Sequence, residues 1–104
     1  MLINKSSKIE KGDLATFKLV NGDEVVAKVT LVGDDTFTVE NPMSVVPAQK
    51  GVGLYPSLIT ARDNPTVILH KNHILMMCLT VDEIKAHYIK MTTGIVTAPQ
   101  GIIA

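Results

Sequence analysis

One cysteine, no excess of either charge and no long apolar run: these shortages set the first bounds on this 104-residue sequence. A lone Cys78 excludes an internal disulfide. It sits within the apolar run 74–79, where a buried thiol acting as a small hydrophobe is expected. Ten basic side chains balance ten acidic ones, so the chain lacks the basic excess of a strong duplex-DNA binder, and any nucleic-acid contact has to be local. No apolar stretch approaches the roughly 20 residues that span a bilayer, and none of signal-peptide length opens the chain, so a cytoplasmic protein without membrane contact is expected. No low-complexity run is present either. With 46% hydrophobic and 19% charged residues, the composition is that of a folding, globular chain.

What is present reads as one domain over 1–104, since a chain this short holds a single modest core and gains stability by oligomerising. Residues 14–19 and 24–32 are rich in β-formers, and Asn21-Gly22 between them is the strongest short-range hairpin signal. In the second run Val25, Ala27, Val29 and Leu31 share one face while Glu24, Lys28 and Thr30 share the other, the period of a half-buried strand. Gly33-Asp34-Asp35 reads as a turn, and Phe37 and Val39 form the apolar face of a third strand. Asn41-Pro42 interrupts that strand, and the pattern resumes at Val45-Val46, which predicts a bend or bulge.

Between Pro47 and Pro65 the glycines and prolines predict a long loop with one extra short strand near 54–59. Residues 66–69 and 74–79 are apolar or β-branched and flank His70-Lys71-Asn72-His73, which predicts a second tight hairpin. Thr80 and Glu83 have capping-box spacing, and Ile84, Tyr88 and Met91 recur at helical spacing, so a helix over about 81–93 is expected, stopped by Gly94. The tail 94–104 takes no assignment.

No nucleophile has a paired base, so no catalytic residue and no enzyme is expected. His70 and His73 stand three apart on a turn, but no cysteine or carboxylate cluster completes a ligand set, so neither metal nor cofactor is expected. His87 reads as a partly exposed helical histidine, and Asp34-Asp35 as turn chemistry.

Strands and one terminal helix fit several small barrels. In the segment 19–29, Leu19, Gly22, Val25 and Ala27 resemble the first motif of the Sm-like (LSm and Hfq-type) family, with Ala27 where the family has glycine at a sharp strand bend. The run Asp34-Asp35-Thr36-Phe37-Thr38-Val39 is similar to the end of that motif, with Thr38 in place of its asparagine. Residues 68–74 resemble the second motif in outline, His70 and Lys71 standing for its Arg-Gly, and their Lys and His are similar to the Lys-His pair of the bacterial Hfq branch. Asn41-Pro42 and the terminal helix are similar to a phage-type branch.

The resemblance covers about 14–79 and implies a mainly β fold: a small, five-stranded, strongly bent antiparallel barrel, SH3-like, with a carboxy-terminal α-helix. It also implies a homo-oligomeric ring of about five to seven subunits, in which strand 66–69 pairs with strand 74–79 of a neighbour and leaves no open edge. By position it implies a pore built from Asp34, Thr36 and Thr38 in one turn and His70, Lys71 and Asn72 in the other. That pore would hold single-stranded RNA, or DNA, and serve RNA or DNA processing or regulation. Imidazoles stack on bases, a lysine meets phosphate, and Asn and Thr read base edges. The acidic pair Asp34-Asp35 opposes phosphate and keeps open a structural or protein-interaction ring without nucleic acid.

Overall fold

A computed structural model describes residues 8–93 of the chain. The fold is mainly β, with six strands in one antiparallel sheet: β1 (Leu14–Leu19), β2 (Glu24–Val32), β3 (Thr36–Ala48), β4 (Gly51–Pro56), β5 (Thr66–His70) and β6 (Ile74–Leu79). A 3-10 turn, Lys71–His73, joins β5 to β6, and helix α1 (Asp82–Thr92) follows. The strand order is β4-β3-β2-β1-β6, with β5 also on β3. Thus β5 and β6 do not pair with each other, and the sheet of a single chain is not closed.

The first hairpin forms as its turn residues dictate. Gly22 takes φ 96°, the left-handed region that glycine enters without a Cβ penalty. Asn21 accepts the Asp23 N–H through Oδ1 at 3.0 Å, which fixes the turn before the β1–β2 ladder begins. Two apolar clusters then lie on the two faces of the sheet. One holds Ile9, Ala15, Phe17, Ala27, Val29, Phe37 and Val39, with Val67, Leu69 and Ile74 packed on it from β5 and β6. Strands from both ends of the sheet therefore wrap the same cluster, whose centre is the Phe17–Phe37 ring pair at 5.5 Å. The other holds Leu14, Val26, Met43, Leu54 and Tyr88 and seats α1.

Several expectations change. Residues 70–73 are a one-turn 3-10 corner and not a hairpin tip: β5 goes to the edge of β3, β6 to the edge of β1. The stretch expected as a loop from Pro47 is instead a β3–β4 hairpin, register Met43↔Pro56 to Ala48↔Gly51, and only 57–65 is irregular. Gly51 at φ 101° makes that turn possible. Leu31 is exposed, because the β2–β3 register shifts between Val29 and Leu31 and a bulge breaks the alternation. Cys78 is exposed, since nothing among the described residues covers that face of β6.

The helix differs in detail as well. Its N-cap is Val81, with no side-chain cap bond. Thr80 still belongs to the sheet: its N–H donates to the Leu14 carbonyl at 3.1 Å, and its hydroxyl lies 2.9 Å from that of Thr16. Asp82 and Glu83 in the first turn suit the positive end of the helix dipole. Ile84 and Tyr88 pack as expected, Met91 stays exposed, and the helix seats on the cluster of Leu14, Val26, Met43 and Leu54. Gly94 and the tail lie outside the described residues. No helix among the described residues is long and apolar enough to cross a membrane.

Tyr88 is 4% exposed, and its hydroxyl donates to the Glu40 carbonyl at 2.8 Å. Burial pushes its phenol up to about 12, with the Glu40 carboxylate adding to the shift. An unfolded tyrosine ionises near pH ~10, so this contribution is complete below that pH and is lost as pH climbs toward the folded value. Tyr88→Phe is expected to cost about 1 kcal/mol at neutral pH through the lost hydrogen bond. It should also lessen the fall in stability on the alkaline side, both read from urea unfolding at a series of pH values.

Candidate functional site

The residues singled out in the two turns meet at one corner of the sheet, because β3 and β5 run antiparallel with Thr36 opposite His70. The turn before β3 is tight. The Gly33 N–H donates to the Thr36 carbonyl at 2.8 Å, and a Cβ on Gly33 would lie 3.2 Å from that oxygen and 3.3 Å from the Thr36 hydroxyl. From the other side, the Lys71 N–H donates to the Asp35 carbonyl at 2.9 Å. The 3-10 corner is held in turn to the first hairpin, where the Val20 N–H donates to the His73 carbonyl at 2.9 Å.

Lys71 has a structural assignment that its sequence position does not reveal. Its ammonium donates to the Gly33 carbonyl at 2.7 Å and lies 4.9 Å from the centroid of the buried Phe37 ring, a cation–π approach. The side chain is half-buried and ties the 33–36 turn to the 70–73 corner. One of its three donors is therefore already engaged within the chain. Asp34, Asp35, His70, Asn72 and His73 are exposed around it, and Thr36 is half-buried between them. The rings of His70, which ends β5, and His73, which ends the 3-10 turn, stand 6.0 Å apart at 59°. Thr38 lies farther along β3, opposite Ile68, and its carbonyl accepts from the Thr30 hydroxyl at 3.2 Å.

The corner thus gathers Asp34, Thr36, His70, Lys71 and Asn72, with Thr38 set back by two residues. Sequence reasoning missed Gly33 and the carbonyl of Asp35 as the pieces that hold Lys71, and it left His73 out of the surface. The spacing of two histidines was the available signal for the latter. Two exposed carboxylates surround one engaged ammonium, so the corner offers flat imidazoles, an amide and hydroxyls more readily than free positive charge. Among the described residues no group of His, Cys, Asp and Glu is arranged to hold a metal ion. A scan against protein-family models matches none of them, and a search of curated proteins finds no relative.

The clamp generates its own prediction. Lys71→Met keeps an apolar stem over Phe37 but removes the ammonium from the Gly33 carbonyl, and is expected to lower stability by about 1–2 kcal/mol for a partly solvated charged hydrogen bond. Gly33→Ala should act in the same direction by forcing Thr36 away. Both changes should speed amide exchange at Gly33 and Lys71, measured by hydrogen exchange, while the β1–β2 amides keep their protection.

Proposed function

We propose that this chain is a ring-forming Sm-like protein that binds single-stranded nucleic acid, RNA in the first instance, and serves RNA or DNA processing or regulation. The observation that carries the proposal is the pairing of Thr36 with His70, which gathers both candidate base-contacting turns at one corner of a sheet that has open edges. In this reading the neighbour's β6 pairs with β5, completes a bent barrel around each core, and turns every 33–36 and 70–73 corner toward a common axis.

The edges support it. All six residues of β6 are apolar, and five are exposed in the single chain, Met76 by 66%. On β5, Ile68 is 60% exposed. Open apolar strand edges aggregate unless something pairs with them, and a closed ring pairs every one. At the axis, His70 and His73 supply stacking surfaces, and Asn72 and Thr36 supply donors and acceptors for base edges. A single corner holds a base weakly. Several corners around one pore multiply the contact through effective concentration.

The exposed Asp34 and Asp35 favour a second reading, a ring that docks proteins and not nucleic acid, because with Lys71 engaged they set the sign of the corner. Light scattering is expected to give about five to seven chains per particle at micromolar concentration. Fluorescence anisotropy with labelled RNA of about ten nucleotides at about 50 mM salt should then show binding of uridine- or adenine-rich strands, low salt favouring electrostatic contacts. His70→Ala, which removes the ring from every subunit, should weaken binding by at least about tenfold, since each lost stack is worth ~1–3 kcal/mol. Asn72→Ala and Thr36→Ala should change base preference instead. A verified ring that binds no oligomer transfers the case to the protein-docking reading, and a stable monomer refutes both.

A further inference from the structure

We infer that the start of α1 in one subunit seats on the 57–65 loop and the adjoining end of β4 in the next, forming a second contact between copies beyond the strand pairing; this rests on the ring proposed above. The ground for it is how β3 is shared. β4 and β5 lie end to end along the same side of β3, the side opposite β2. Two backbone bonds carry the sheet across the gap: Ser57 N–H to the Pro42 carbonyl at 2.9 Å, and Asn41 N–H to the Pro65 carbonyl at 3.0 Å. The outer edge of the subunit is therefore composite, running along β4, past the loop and along β5.

A neighbour's β6 is too short to cover that edge. Its six residues extend about 20 Å, enough for the five of β5 and no more. Beyond β5 the exposed residues include large apolar ones, Tyr55 on β4 and Leu58 and Ile59 in the loop, Ile59 by 73%, followed by the polar run Arg62-Asp63-Asn64. An apolar patch beside an unpaired strand is a surface that folded proteins cover, often with a helix.

The direction of the chain decides what arrives there. If every 70–73 corner faces the ring axis, the neighbour's β6 leaves the axis beside His70 and runs outward antiparallel to β5, toward Thr66. Its continuation then emerges alongside the 57–65 loop. That continuation is Val81, 60% exposed, followed by the acidic first turn Asp82 and Glu83, both exposed. The loop meets it with apolar Leu58 and Ile59 and with exposed Arg62, the only arginine in the chain, which is followed by exposed Asp63. The apolar residues match, and Arg62 is opposite in sign to Asp82 and Glu83. Within its own subunit α1 is anchored by Tyr88.

The test uses the full chain in a Cys78→Ser background, with Ile59→Cys and Val81→Cys introduced singly and together. Mild oxidation of the double variant should give a ladder of covalently linked chains on a non-reducing gel, up to the ring size read by native mass spectrometry, and each single variant should give none. Independently, Arg62→Glu should raise the concentration at which the ring dissociates by at least about tenfold, with partial recovery on adding Glu83→Arg. If light scattering shows the wild type to be a monomer, the ring and this contact fall together. If the ring is intact but the double variant links only within chains, or not at all, and Arg62→Glu leaves dissociation unchanged, the contact alone is refuted and the loop is left for another partner.

Discussion

The described fold is organised around β3, a strand of 13 residues whose outer side is shared between β4 and β5. Asn41, in the left-handed region at φ 49°, marks where the strand changes partners, from β5 over 36–40 to β4 over 43–48. The two halves also serve different cores. Phe37 and Val39 face the cluster around Phe17, and Met43 faces the cluster under Tyr88. The Tyr88 hydroxyl bonds the carbonyl of Glu40, the residue just before this junction, so the helix is fixed to the same point at which the strand divides. A rigid junction there places β5, and with it the 70–73 corner, against the turn that precedes Thr36.

Local chemistry made much of this legible. Asn21-Gly22 announced the first hairpin, alternation announced β2 and the start of β3, and Pro42 announced the interruption in β3. Ile84 and Tyr88 announced the helix face. The failures share a cause: each depends on the register adopted with another strand, which the segment's own residues do not encode. Leu31 leaves the buried face because of a bulge opposite β3, and Thr80 pairs its hydroxyl with that of Thr16 and donates its N–H to the Leu14 carbonyl instead of capping the helix. The 47–56 hairpin was hidden because Pro47, Gly51 and Gly53 punctuate a sequence that the long β3 nevertheless holds in register.

The candidate corner was legible as two polar turns, and the Sm-like resemblance is what suggested they belonged together. Their meeting follows from the β3–β5 register, which neither turn encodes by itself. The role of Lys71 was the least readable. A lysine in an exposed-looking turn carries no sign that its ammonium will find the Gly33 carbonyl, 38 residues earlier, and the face of Phe37. That arrangement ties the one cation of the corner to the backbone, beside the exposed Asp34 and Asp35.

The pairing of β1 with β6 joins Ala15 to Leu79, a separation of 64 residues. Translation at about 5–20 residues per second needs roughly 3 to 13 seconds to make that intervening length. During that interval the outer backbone groups of β1 have no native partner, and Phe17 lacks the wall that Ile74 provides. Such non-local pairing is slow to form in any case, because loop closure precedes its reward. The vulnerable moment of this protein is thus its birth, when adjacent nascent chains on one message carry identical unfinished edges side by side.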